Sequence, residues 1–334
     1  MSQPAEGPKF GVALLAMGGP EKAEEVEPFL RDLFADPELI RLPMPMRLFQ
    51  GTLAKRVARK RLPLALDMYR QIGFSPLRAE TEALARRIAD SLGSLGHDAP
   101  VEIGMRYTDP RTTHTWERLI RAGAVRIVAL PLYPHETGVA TGSSISDFRA
   151  FAPRNPARGP PPVIEVRDFG SDPRYLDLLA AWVQRSLDTM REGASEDPIH
   201  LLFSAHGLPA AYVRDGDEYP ERVREASKGV ASRLKDAPEW SLSFQSRVGD
   251  REWTRPYTDE HIKQLAGRGV KNLLVVGMGF VSDHVETLYE IDILYRDMAI
   301  KAGIHRFSRV PSFNDDPAFA SFLASRILEA VGVK

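Results

Sequence analysis

Short apolar runs alternate with segments of helical period along most of this chain. Residues 10–17 are almost wholly apolar and end on Gly18-Gly19-Pro20, the pattern of a buried strand entering a turn. In residues 24–33 the period changes, and Val26, Phe29, Leu30 and Leu33 share one helical face. Residues 101–106 and 126–132 read as two more strands, separated by a helix over 113–122. Residues 163–166, 199–204, 242–246 and 272–276 continue the strand series. Helices are expected at about 173–191, 218–235, 258–267, 284–301 and 316–331. Strands this apolar, interleaved with helices, predict parallel sheets covered on both faces.

The series contains a repeat. Leu15-Ala16-Met17-Gly18-Gly19-Pro20 matches Ser204-Ala205-His206-Gly207-Leu208-Pro209, and residues 123–134 echo residues 269–280. The first match is offset by 189 positions, from Met17 to His206, and the second by 146, from Gly123 to Gly269. The first half therefore holds about 43 additional residues, best placed at about 36–78, where no strand–helix rhythm is evident. Two similar α/β domains facing each other are expected, residues 1–160 with that insertion and residues 161–334 with a closing helix. Met17 and His206 would then lie on opposite walls of the crevice, at the strand ends where open α/β sheets bind ligands. A chance match of so short a motif is the competing reading.

Composition narrows the possibilities. The 334 residues carry a formal net charge of −1 with 43% hydrophobic and 27% charged residues, an ordinary globular balance that does not point to nucleic acid. The absence of cysteine excludes disulfides, thiolate zinc sites and iron–sulfur clusters. The polar start of the chain predicts no signal peptide. No apolar run approaches the ~20 residues of a bilayer span, so any membrane contact is expected to be peripheral.

Four segments carry candidate chemistry. In Phe203-Ser204-Ala205-His206-Gly207-Leu208-Pro209, the histidine stands at a strand end between small residues. Imidazole exchanges protons near neutrality and binds borderline metals, though on spacing alone a hydrogen-bonded histidine packed in a loop is the commoner case. In residues 277–292, Asp283, Glu286 and Glu290 fall on one stripe of an ideal helix, suited to cation capture or proton relay. Capping of the helix by Ser282 or Asp283 is the alternative. Leu130-Pro131-Leu132-Tyr133-Pro134 leads to Ala140-Thr141-Gly142-Ser143-Ser144, a loop that offers backbone N–H groups to an anion or simply begins a helix. The insertion holds Met44, Met46, Leu48 and Phe49 beside Lys55, Arg56, Arg59, Lys60 and Arg61. These residues suit a pliable lip touching anionic lipid, or a packed helix with a solvated basic face.

Together these segments resemble the ferrochelatase family along nearly the whole chain. The resemblance is carried by Leu14-Leu15-Ala16-Met17-Gly18-Gly19-Pro20, Glu25-Val26-Glu27-Pro28-Phe29-Leu30 and Tyr69-Arg70-Gln71-Ile72-Gly73-Phe74-Ser75-Pro76-Leu77. It continues through Gly104-Met105-Arg106-Tyr107, Pro131-Leu132-Tyr133-Pro134, Thr141-Gly142-Ser143-Ser144, residues 203–209, Phe244-Gln245-Ser246-Arg247-Val248-Gly249, Trp253 and residues 280–292. It implies two Rossmann-like, chelatase-type domains around a porphyrin cleft. By similarity, His206 and Glu286 are the central catalytic and metal-binding pair, on opposing sides of the macrocycle. Asp283, His284, Glu290 and Asp292 line a metal or proton path. Met17, Ser75, Arg106, Tyr107, Tyr133 and Trp253 lie near the porphyrin, with residues about 41–62 as the cleft's lip. The chain departs from the family pattern at Ala16, Phe74, His135-Glu136-Thr137 and Leu294, where asparagine, a second glycine, Gln-Tyr/Phe-Ser and a further carboxylate are common.

The implied partners are a porphyrin and ferrous iron, the latter a substrate, with no cofactor. The implied location is the cytoplasm, with peripheral contact at the inner membrane face. Oligomeric state is left open, and no cluster domain or membrane helix is expected after Lys334. Met17 stands where the coproporphyrin-using branch of the family typically has tyrosine, so protoporphyrin IX is the expected substrate, with coproporphyrin III the runner-up. A cobalt or nickel chelatase, a haem carrier and a dinucleotide-dependent dehydrogenase are the competing functions. The last is weakened because Gly18-Gly19 lacks the full dinucleotide fingerprint.

Overall fold

A computed structural model describes residues 10–152, 159–192, 197–249 and 251–333. Phe10–Ala16 is buried at every position and forms β1 at the centre of a parallel sheet. Val101–Met105 (β2) and Arg126–Pro131 (β3) flank it, and Val163–Glu165 (β4) closes one edge, giving the order β2-β1-β3-β4. A second parallel sheet repeats that order as β6-β5-β7-β8, from Ile199–His206 (β5), Trp240–Gln245 (β6), Asn272–Gly277 (β7) and Arg306–Arg309 (β8). The repeat holds at the level of register. Leu15 pairs with Pro131 and Ser204 with Gly277, so the offsets of 189 and 146 read from the sequence map one sheet onto the other.

Helices cover the sheets: Ala23–Ala35 (α1), Gln50–Gln71 (α2), Leu77–Ser94 (α3), Thr112–Arg121 (α4), Ser143–Ala150 (α5) and Pro173–Glu192 (α6). Then come Ala210–Arg214 (α7), Tyr219–Ala231 (α8), Thr258–Gly267 (α9), Arg296–Lys301 (α10) and Pro317–Ala330 (α11). Segment 36–78, expected to lack rhythm, instead contains α2 and the start of α3. Along α2 only Gln50, Ala54, Ala58 and Tyr69 are buried, so the helix has no broad apolar stripe to betray it. In α3 the stripe is present, in Leu77, Thr81, Leu84, Ala85, Ile88 and Leu92, but lay outside the predicted helices.

Two features cross the division at residue 160. β4 pairs with β3 and so completes the first sheet, although it follows that boundary. The last helix, α11, packs on α3 of the first half as well as on α6. One apolar core accordingly runs from Leu14, Ile88 and Leu92 through Phe319, Leu323 and Ile327 to Phe203 and Val276.

Candidate active site

β5 and β7 are adjacent, and what each carries past its carboxyl end meets what the other carries. His206 is the last residue of β5. After β7 a loop leads into a π-helical segment, Glu286–Tyr295, which continues directly into α10. His206 Nδ1 and Glu286 Oε2 are 2.7 Å apart. The two residues therefore share one wall. Their expected placement on opposing sides of a macrocycle does not hold, because both side chains hang from neighbouring strands of the second sheet.

The π geometry corrects the helical stripe as well. Residues four and five apart stack in a π turn, which brings Glu290 beside Glu286. Asp283 precedes the segment and turns away from Glu286, accepting from the Thr287 hydroxyl, which in turn accepts from the His284 N–H. Ser246 Oγ donates to Glu286 Oε2 at 3.1 Å and also to Glu290 Oε2, while Gln245 Nε2 donates to Glu290 Oε2 at 2.9 Å. Ser246 holds this position with φ at +64°, a left-handed conformation that non-glycine residues adopt at some cost in strain.

Charge follows from this geometry. Burial would lower the pKa of His206, but the Glu286 carboxylate, by charge and hydrogen bond, raises it instead. Burial pushes Glu286 up, and the His206 charge and hydrogen bond overcome that and hold it below the ordinary carboxylate range. Glu290 is pushed up to about 7, by burial first and then by the negative charge of Glu286. The cluster thus combines a paired imidazole still 36% open to solvent, an ionised carboxylate and a second carboxylate poised to exchange a proton near neutrality. His284 is buried with Nε2 4.0 Å from Glu286 Oε1, and burial lowers its pKa.

Trp253 lies edge-on to the His206 ring at 6.3 Å, anchored through its indole N–H to the Val248 carbonyl. From the first half, Met17 sits in an apolar cluster with Phe29, Tyr69, Tyr107 and Val285, the residue preceding Glu286. Tyr133 hydrogen-bonds with Ser144 at 3.4 Å, and its pKa is pushed up to about 12, chiefly by burial with a contribution from Glu286.

The other expected residues are committed elsewhere. Asp283 and Asp292 both bind Arg309, with Asp292 held in a two-pronged pair at 2.9 Å and Asp283 at 2.9 Å from Nη1. Arg106 and Tyr107 converge with Ser143 on the buried Asp36, at 2.9, 2.7 and 2.6 Å, and anchor the start of the insertion. Ser75 is buried against Gly19, where a Cβ would collide with its hydroxyl. Leu294 is exposed and offers no oxygen beyond Glu290. Met44, Met46, Leu48 and Phe49 are 52–74% exposed around the turn that opens α2. Sequence reasoning missed Ser246, Gln245, Asp36 and Arg309 as parts of these networks. Only the first two stood within a matched motif.

A family model described as Ferrochelatase matches residues 9–331. The chain is 39% identical over 325 residues to a ferrochelatase of Nostoc punctiforme, covering 97% of this chain and 82% of that one. It is 40% identical over 327 residues to one of Gloeobacter violaceus, covering 97% and 98%. Among solved structures, SirB from Bacillus subtilis with Fe3+ aligns with a TM-score of 0.54 at 14% identity, covering 76% of this chain and 90% of that one. CbiX, the terminal enzyme for siroheme biosynthesis in denitrifying bacteria, aligns at 0.53 and 17%, covering 96% and 99%. At such identities these two structures establish the fold.

Proposed function

The chain belongs to the ferrochelatase family, and on that premise we propose that it inserts ferrous iron into protoporphyrin IX, with His206 accepting the pyrrole protons. Insertion of iron into a porphyrin is the family's reaction. The observation that carries the assignment of roles is the 2.7 Å pair of His206 and Glu286, backed by Glu290 through Ser246.

Two N–H protons must leave the macrocycle as the metal enters, and the ring must tilt its nitrogen lone pairs toward the metal. His206 is the open member of the cluster and takes the proton. Glu286 stabilises the imidazolium by charge at hydrogen-bond distance and turns the ring so that the other nitrogen faces the porphyrin. Glu290, titrating near neutrality, then accepts the proton, with the Ser246 hydroxyl touching both carboxylates. The same imidazole and carboxylate replace water around iron. Asp283 and Asp292, tied to Arg309, hold the segment in place rather than contacting metal.

The choice of porphyrin rests on Met17. Met17 packs against the cluster that holds Phe29 and Tyr69, and its thioether is a soft apolar group that brings no strong oxygen ligand of its own. Protoporphyrin has vinyl groups where coproporphyrin has two further propionates, whose burial beside such a surface and an apolar lip is costly unless paired. The proposal extends to a cytoplasmic enzyme, built of two halves divided near residue 160, without a cofactor, and touching anionic bilayers through its lip. No helix of the described residues is long and apolar enough to cross a membrane. Side-by-side kinetics test the substrate: a higher kcat/KM for coproporphyrin III than for protoporphyrin IX would overturn it and leave the family assignment intact.

A further inference from the structure

On the outer face of the second half, away from His206, a groove of about 660 Å³ lies between α6, α10 and the edge strand β8. Its volume is that of a site for a small organic ligand. Arg185 comes from α6, Arg296 from α10 and Arg306 from β8. Among the described residues none of the three forms an ion pair, and Arg185 instead lies over the Trp182 ring at 4.9 Å. Ile300 and Phe307 supply apolar surface between them, and Ile300 is 48% exposed. Arg309 lines the groove too but is paired with Asp283 and Asp292, so the charge left to attract an anion is that of the other three arginines.

We propose that this groove binds an amphipathic organic anion. Its acidic group is held by Arg296, Arg306 and Arg185, and its apolar body rests on Ile300, Phe307 and Trp182. Guanidinium forks suit a carboxylate, sulfonate or phosphate. The flanking apolar side chains distinguish an amphiphile from a bare ion. Occupancy reaches the catalytic cluster through one helix. The π-helical segment carrying Glu286 and Glu290 runs without a break into α10, which presents Arg296 and Ile300 to the groove. A ligand drawing Arg296 toward Arg306 pulls on that helix from its far end and lowers turnover. Binding stands independently of the proposed substrate, and the kinetic effect rests on the insertion activity.

The probe is 8-anilinonaphthalene-1-sulfonate, with hydrogen–deuterium exchange to locate it. The probe is expected to slow exchange across residues 296–309 in the wild type. In Arg296→Ala/Arg306→Ala it should bind this segment about tenfold more weakly or worse, the scale of losing charge-assisted hydrogen bonds. At saturating porphyrin it should lower wild-type kcat about fivefold, the low end of ordinary coupling between sites, and leave the double variant's kcat unchanged. Absence of protection at 296–309 in the wild type overturns the site. Equal protection by inorganic phosphate overturns its amphipathic character. Protection with unchanged kcat overturns the coupling.

Discussion

The imidazole of His206 and the carboxylate of Glu286 meet at 2.7 Å across a sequence separation of 80 residues. They meet because β5 and β7 are neighbours in register, with Ser204 opposite Gly277, so both chains leave the sheet at one level. Loss of His206 leaves the more buried Glu286 carboxylate without its counter-charge, and loss of Glu286 leaves the imidazole without the acceptor that orients it. His206→Ala is expected to abolish insertion while porphyrin still binds. Glu286→Gln should slow it by ~10²-fold or more, the usual scale for a positioned acid–base group. Stopped-flow insertion assays with a parallel porphyrin-binding titration check both, and near-normal turnover in either variant refutes the assignment.

Glu290 sets the pH dependence. Its folded pKa of about 7 lies above the ordinary value of 4.5, so between those values the folded state holds a proton that the unfolded chain has released. Stability is therefore lost as pH rises from about 4.5 through 7. Glu290→Gln, which cannot titrate, should gain in Tm over the wild type as pH rises from 5 to 8 and should lose the neutral-pH inflection in kcat. An advantage that stays constant with pH contradicts the shift.

The Ser246 hydroxyl lies within hydrogen-bond reach of both the Glu286 and the Glu290 carboxylates, whereas Gln245 reaches the Glu290 carboxylate and only the main-chain carbonyl of Glu286. Ser246→Ala and Ser246→Gly both remove the hydroxyl, but glycine also relieves the left-handed backbone at φ +64°. Both variants should show slower turnover and a displaced pH profile. Recovery of the wild-type profile in the glycine variant alone would assign the effect to backbone strain instead.

Arg309 is the single counter-charge to Asp283 and Asp292 in the salt bridges they make among the described residues. Arg309→Leu should cost about 3–5 kcal/mol, the scale for stripping one partner from a buried ion pair. Urea unfolding measures it, and a loss below ~1 kcal/mol would mean that the clamp is not structural.

His135 is buried, with Gly170 packed directly against its ring and the Met278 backbone beside it as a polar neighbour on the main chain. Burial is the main cause that lowers its pKa, to about 4, with Asp168 opposing and Arg222 assisting. The unfolded chain takes up a proton below about 6.5 that the folded chain refuses until about 4, so stability falls as pH drops through that window. His135→Gln should therefore lose less stability than the wild type between pH 7 and 4.5, as read by thermal unfolding. Parallel curves would show that the ring finds a partner in solution.

Much of the scaffold was legible because its information is local. Phe10–Ala16 reads as a buried strand from seven consecutive positions, and the Met17/His206 repeat carried the register of both sheets. His206 was legible as a strand-end histidine. The π-helical turn at Glu286–Tyr295 was not, since its i→i+5 pairing leaves no distinct period over so few residues, and an ideal helix misdirected Asp283. Nor could spacing reveal that Arg106 and Tyr107 are spent on Asp36, or Asp292 on Arg309, because these partners lie 17 to 71 residues apart.

The placement of α11 against α3 has a consequence for how the protein is made. The first half presents its α3 face to solvent as soon as it leaves the ribosome, yet the helix that covers that face is among the last segments translated. At about 5–20 residues per second, the gap lasts on the order of tens of seconds. Throughout that interval the side of α3 that later faces α11, where Ser91 meets Ser321, is open to other nascent chains, so the yield of folded enzyme should depend on holdase chaperones and fall steeply with growth temperature.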